Sequence, residues 1–521
     1  MDAKFGGGRL DEGREALESA RWTAAREAFE AAFEEEETPD ALDGLGLALW
    51  FLGEVGAGIA ARERASEGYA RAGRCDDAAR LAVWVSHQHL VGGRASAARG
   101  WLARAERAVE HAGVCAGLGW VAVERARHAQ TVEECLEHAR RAMAIARETD
   151  SGDLEVFALS LLGRAEISAG RPAEGMRLLE EAMAAASVGR VRNVHTLAEA
   201  YCNLIAACTS AGDWERATEW CELVDEFARD RGAVPLYGSC RTIHADVLLA
   251  RGRWDDAETA LQTAIEVHAR HPPDLGAPAV AALAELRVRQ GRLSEAEQLL
   301  VGREEHPESL RALAHLRLAQ GRPDVAAALL ERGLSGAEGD TVRRAQLLAP
   351  LVDARLAEYE VDLAEAAADE LAQHAQSSGI AVLQARAQLA AARVGLAAER
   401  PDDAGEAARQ ALAAFGRLAM PYETGEARLE LARSLGQTTP ELACEEAQAA
   451  FAAFRDLGAA RARDGAAALL RRLGAPTGGL PRAAGDLTRG NKRFSACSRS
   501  GCRTHRSRER SSSPRRRPVT T

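Results

Sequence analysis

The chain has 521 residues, a formal net charge of −11, 47% hydrophobic residues and only 4% aromatic ones. That length exceeds one ordinary core, so several domains or a repeat array are required, and an interior of Ala and Leu favours close-packed helices over a sheet. An acidic body of this kind repels nucleic-acid and membrane phosphates at long range.

Taken in chain order, the opening MDAKFGGGRLDEGREAL has no apolar signal core. The acidic run from Glu34 to Asp40 reads as a solvated helix end broken at Pro39. The stretch GLGLALWFLGEVGAGIAA, Gly44 to Ala61, approaches membrane-spanning length but holds Glu54 and five glycines. It reads as a buried helix, a glycine-centred turn and a second helix. The ten cysteines (75, 115, 135, 202, 208, 221, 240, 444, 497 and 502) show no framework spacing. They are expected to be reduced thiols, most of them core fillers, in a cytoplasmic protein.

One phrase recurs along the chain. SAGDWERATEWCELV from Ser210, ARGRWDDAETALQTA from Ala250, RQGRLSEAEQLL from Arg289 and AQGRPDVAAALL from Ala319 share Gly, a polar residue, Trp/Leu/Pro, two polar residues, Ala and an apolar helical face. Further copies begin at Gly73, Gly93 and Gly170, and copies without the glycine begin at Ala20, Gln130, Tyr359 and Glu399. From Gly170 the anchors at 170, 212, 252, 291, 321, 359 and 399 are spaced 42, 40, 39, 30, 38 and 40 residues apart. The glycine can take the left-handed conformation that ends a first helix. The polar residue after it can satisfy free amides at the start of a second. Pro172, Pro323 and Pro401 fall where a first-turn proline is tolerated. Ala217, Ala257, Ala296 and Ala326 allow two helices close approach, and Leu261, Ala264 and Ile265 continue an apolar face at helical spacing.

This helix pair, with AEAYCNLIAACTSAGDW (Ala198 to Trp214) as the clearest copy, resembles the tetratricopeptide repeat, whose usual period is about 34 residues. The longer period here implies longer helices or loops. The resemblance implies an all-α solenoid of about a dozen helix pairs over residues 1–473, each pair burying its apolar stripe against its neighbours.

Catalysis has no visible home. There is no phosphate-cradling Gly-x-x-x-x-Gly-Lys-Ser/Thr, and lysine occurs only at Lys4 and Lys492. His87 and His89, two apart on a helix, point to different faces. Cys135 and His138 share a face but are only two ligands. The eight tryptophans, Trp214 and Trp254 among them, lie mostly inside repeat phrases and read as packing residues. The expectation is therefore no catalytic, cofactor, metal or DNA-binding residue in this chain, no cofactor and no membrane partner. A protein, peptide or small-molecule effector would bind the solenoid's inner surface.

The chain's end has another character. A linker and Leu487-Thr488-Arg489 occupy residues 474–489, and residues 490–521 are rich in Arg and Ser, with ten Lys/Arg against Glu509 alone. Taken literally this is a disordered basic arm. Codon arithmetic suggests a different origin. In the frame shifted by one base, Phe494 forces an apolar residue, Cys497 and Cys502 each force Leu, Val or Met, and Asn491-Lys492 forces Gln if the frame stays open. With GC-rich codons the shifted frame can read R-E-Q-E-V-L-R-L-L-A-Q. Joined to the in-frame Leu487, Thr488 and Arg489, this resembles the opening of the LuxR-type helix-turn-helix. The whole chain then resembles the large LuxR-type transcriptional regulators, with the helical repeats as sensory or interaction region and the DNA reader lost to a frame change near residues 489 and 490. In that family the reader enters the major groove, usually from a dimer. A free-standing repeat scaffold that recruits partner proteins is the alternative.

Overall fold

The computed structural model describes residues 5–474, apart from 188–190, 192, 231–233 and 270–275. The chain divides into residues 1–475 and 476–521. The second unit, with the linker and the Arg/Ser-rich end, lies outside the described residues.

The described residues form twenty-five α-helices and no strand, an all-α tetratricopeptide-like solenoid. The first pairs are α1 (Phe5–Glu18) with α2 (Trp22–Glu35), α3 (Pro39–Phe51) with α4 (Val55–Arg71), α5 (Cys75–Val91) with α6 (Ala95–Ala108), and α7 (Ala116–His128) with α8 (Val132–Glu148). Then come α9 (Gly152–Ser168) with α10 (Pro172–Ser187), α11 (Val194–Ala211) with α12 (Trp214–Asp230), α13 (Val234–Ala250) with α14 (Trp254–His268), and α15 (Ala277–Arg289) with α16 (Leu293–Leu300). The last are α17 (Ser309–Ala319) with α18 (Pro323–Ser335), α19 (Thr341–Ala357) with α20 (Val361–Ser378), α21 (Ala381–Ala397) with α22 (Pro401–Arg417), and α23 (Pro421–Leu435) with α24 (Pro440–Asp456). A single α25 (Ala460–Arg472) follows.

The repeat phrase marks the turn inside most pairs, but the Gly73 copy lies between α4 and α5, which belong to successive pairs. Gly170, Gly212, Gly252, Gly291 and Gly321 are left-handed, and so are Ala20, Tyr359 and Glu399, where the glycine is missing. In all of these the next amide donates to the carbonyl five residues back, as Asp213 to Cys208 at 2.9 Å and Glu360 to Arg355 at 2.9 Å. Gln130 departs from the expectation. The chain there is extended at Ala129, and Thr131 caps α8 through its hydroxyl, which accepts from the Glu134 amide at 3.2 Å.

The polar residue after the glycine also corrects the sequence reading. Asp213 does accept from the Arg216 amide. Arg74, Arg253 and Arg292 make no cap bond and instead donate to the acid three residues on, Asp77, Asp256 and Glu295.

Ala217, Ala257, Ala296 and Ala326 are all fully buried where the paired helices touch. The short 30-residue spacing has a plain cause, because α16 has 8 residues and α17 has 11. One apolar cluster joins residues of α9–α13 to residues of α17–α23, so neighbouring pairs share a core, while α15, α16 and part of α17 form a cluster of their own.

The stack also meets itself. The turns at Gly170, Gly212, Gly252 and Gly291 lie against Thr341, Val382, Pro421 and Ala460, each about 170 residues farther along. The glycine-rich Gly44–Ala61 stretch forms the end of α3, the left-handed Gly53 and the start of α4. No helix among the described residues is long and apolar enough to cross a membrane.

Candidate functional site on the inner face

Side chains from first helices of distant pairs meet inside the coil. Glu199 on α11 accepts from Arg127 on α7 and lies 3.4 Å from His195 Nε2 and 3.7 Å from His87 Nε2 on α5. Arg127 also donates to Glu124 Oε2 at 3.2 Å, and Ser86 Oγ donates to Glu124 Oε1 at 2.7 Å. The His195 ring packs edge-on against Trp50 on α3 and Trp84 on α5, with centroids 5.0 and 6.2 Å away. Trp50 Nε1 donates to Gln88 Oε1 at 2.9 Å.

Burial pushes the Glu199 carboxylate up. Arg127, His87 and His195 outweigh it and hold the group at about 2. Burial drives His195 down to about 4, so its imidazole is neutral at physiological pH.

A second polar column lies farther along. Arg393 on α21 bonds Asp353 on α19 at 2.8 Å and Glu426 on α23 at 2.9 Å. Arg311 on α17 bonds Glu285 on α15 at 2.7 Å, and Arg289 reaches Glu423 at 3.5 Å. The inner surface expected to receive a partner is thus occupied at these levels by the chain's own charged side chains.

A cavity of about 390 Å³ opens beside the first column. Its apolar wall is Leu17, Trp22, Leu47, Phe51, Trp120 and Val194, and Arg14, Arg80, Asp76 and Asp153 face it as well. Trp22 stacks on Phe51 with centroids 4.0 Å apart. Asp76 and Asp153 each spend an oxygen on a backbone amide, Gly117 and Asn193. Arg80 is held by Asp43 at 2.7 Å. The volume falls in the range of small-molecule sites, and the mixed lining can seat a flat apolar body with polar edges.

His87 and His89 do point apart, toward Glu199 and Glu63. Cys135 packs against the apolar core. The described residues hold no group of three or more His, Cys, Asp or Glu placed for a metal ion. The sequence reading missed the cavity residues. The signal present was Trp22, two positions after Ala20, where other copies carry Trp214 and Trp254.

No curated protein matches the chain. A chain of the crystal structure of the APC/C hetero-tetramer Cut9-Hcn1 is 12% identical over 87% of this chain and 95% of that one, at a TM-score of 0.47. Yeast Tom70 is 11% identical over 85% and 99%, at 0.32. Likenesses this distant carry no weight for function. The profile of the MalT-like TPR region matches residues 119–421, more than half of the chain. The chain therefore belongs to the MalT-like TPR region family.

Proposed function

We propose that this chain is the effector-sensing and protein-interaction repeat region of a LuxR-type transcriptional regulator, with no catalytic activity of its own, acting in the cytoplasm. The observation that carries the reading is the match to the MalT-like TPR region, since MalT is a LuxR-family regulator. Two features support it. The aromatic-walled cavity between α1, α3, α7 and the start of α11 has room for a small effector. Leu487-Thr488-Arg489 matches the opening of the LuxR-type reader before the Arg/Ser-rich end begins. The chain as written should not bind DNA selectively. Its acidic body opposes phosphate, and the tail offers only non-specific attraction, at a Kd of ~10⁻⁴ to 10⁻⁶ M at physiological salt.

The test compares this chain with a version whose gene carries one added base at codon 490. Both are titrated against the DNA upstream of the gene at two salt concentrations. Selective binding that survives the higher salt in the frame-restored chain alone supports the reading. No selective binding by the restored chain, or a shifted frame that meets a stop codon within the tail, favours a free-standing scaffold that recruits partner proteins.

A further inference from the structure

We propose that Cys202 and Cys240 form an oxidative modification site, where peroxide converts two thiols into a disulfide that staples consecutive repeats. Cys202 lies on α11 and Cys240 on α13, the first helices of neighbouring pairs, and their sulfurs are 4.0 Å apart. A disulfide needs about 2.05 Å between sulfurs. The remaining ~2 Å is within reach of side-chain rotation and a small approach of the two helices.

The environments of the two thiols assign their roles. Cys202 is half-buried, which a molecule the size of peroxide can reach. Cys240 is 3% exposed, and its contact with Cys202 together with burial keeps its thiol protonated. Cys202 therefore reacts first. Its sulfur attacks one peroxide oxygen, an S–O bond forms, the O–O bond breaks and water leaves. The sulfur is oxidised by two electrons and the peroxide is reduced by two. The Cys240 sulfur then attacks the Cys202 sulfenic acid. An S–S bond forms, the S–O bond breaks, and the Cys240 proton leaves with the hydroxyl as a second water. Two thiols and one hydrogen peroxide give one disulfide and two waters.

Neighbouring cysteines do not compete for the peroxide, because Cys208 and Cys221 are buried and burial pushes them up to about 12, which leaves almost no thiolate. Cys240 is the second thiol by position, its sulfur 4.0 Å from that of Cys202. Cys75 is exposed and has no sulfur partner among the described residues. A bond between positions 202 and 240 closes a loop containing all of α12 and fixes the spacing of two neighbouring pairs.

The full chain is treated with hydrogen peroxide, its free thiols are blocked, and it is digested without reductant for mass spectrometry. A linked peptide joining Cys202 to Cys240, reversed by dithiothreitol, is expected, with a thermal midpoint several degrees above that of the reduced chain. Cys208→Ser should keep the link. Cys240→Ser should instead accumulate a Cys202 sulfenic acid that dimedone traps. An unmodified Cys202, a Cys202 sulfinic acid without the link, or bonds formed only between chains through Cys75 would each overturn the proposal. The wild-type digest decides this even if a variant fails to fold.

Discussion

Arg62 grips one oxygen of Asp43 twice, donating from Nε at 2.9 Å and from Nη2 at 2.7 Å. The other Asp43 oxygen accepts from Arg80 at 2.7 Å, and the Arg62 guanidinium lies 4.3 Å from the centre of the Trp84 ring. One carboxylate thus ties α3, α4 and α5 together, and Arg62 is only 2% exposed. The glycines around it make room. A Cβ on Gly46 would stand 2.5 Å from Arg62 Cγ, and one on Gly58 would stand 2.7 Å from the Gly46 carbonyl oxygen.

Removing Arg62 leaves a buried carboxylate with half its partners. Arg62→Ala is expected to cost ~3–5 kcal/mol in the stability of the first repeats, the usual penalty for breaking a buried pair. Urea unfolding followed by fluorescence of Trp50 and Trp84 reads it. A loss below 1 kcal/mol would show that Arg80 alone suffices.

Acid should loosen the same end of the stack in two stages. His195 sits at about 4, because burial, Arg62, His87 and Arg127 outweigh Glu199. An ordinary histidine lies near 6.5, so between those values the unfolded chain holds more protons and stability falls as pH drops. On the order of 3–4 kcal/mol is at stake over that interval, at ~1.4 kcal/mol per pH unit. Asp43 and Glu199 follow. Burial raises both, but Arg62 and Arg80 in one case and Arg127 with two histidines in the other hold them at about 2. Their stabilisation is complete above the ordinary carboxylate range and is lost as pH falls through about 2. Urea midpoints at pH 7, 5 and 4 should fall in that order, and His195→Gln should flatten the first stage.

Tyr359 and Glu399 hold a left-handed conformation that costs a side chain about 1 kcal/mol or more. Tyr359→Gly and Glu399→Gly should each stabilise the chain by about 1 kcal/mol. The reverse change separates two effects. Gly321→Ala meets open space and should lose about 1 kcal/mol, whereas Gly252→Ala brings a Cβ within 2.5 Å of Pro421 and 2.9 Å of Leu457 and should lose clearly more. Equal losses would mean that the contact between distant pairs yields freely.

Asp246 runs the other way with pH. Burial pushes its carboxyl up to about 7, with Arg311 opposing and Glu285 and Glu308 adding. The side chain is nevertheless exposed to water, which screens the charge and shrinks the effect. The folded chain holds the extra proton between the ordinary Asp range and about 7, so stability is lost as pH rises through that window. Asp246→Asn should melt above wild type at pH 8 and with it at pH 4. A constant difference at both would rule out titration.

Much of this molecule was legible before its coordinates. Ala217, Ala257, Ala296 and Ala326 recur at one position of a phrase, and every one is fully buried at a helix contact. The turns at Ala20, Tyr359 and Glu399 could be placed without their glycine, because the flanking residues keep the rest of the pattern. Gln130 misled for the same reason. Its neighbours resemble the phrase, but Thr131 supplies a cap of another kind, and an extended backbone replaces the left-handed one.

What the sequence determined by itself is local. Helix ends, pair boundaries and buried stripes follow from φ preferences, caps and the helical period, all of which act within a few residues. The pairs Trp50 with His195, Arg127 with Glu199 and Gly252 with Pro421 belong to the tertiary structure alone. Each pair of helices turns slightly on the last, and the sum of those rotations sets which residues meet inside the coil and one turn later. Cys202 and Cys240 stand sulfur to sulfur because packing brings α11 beside α13 and turns the two side chains toward each other, which no local rule specifies.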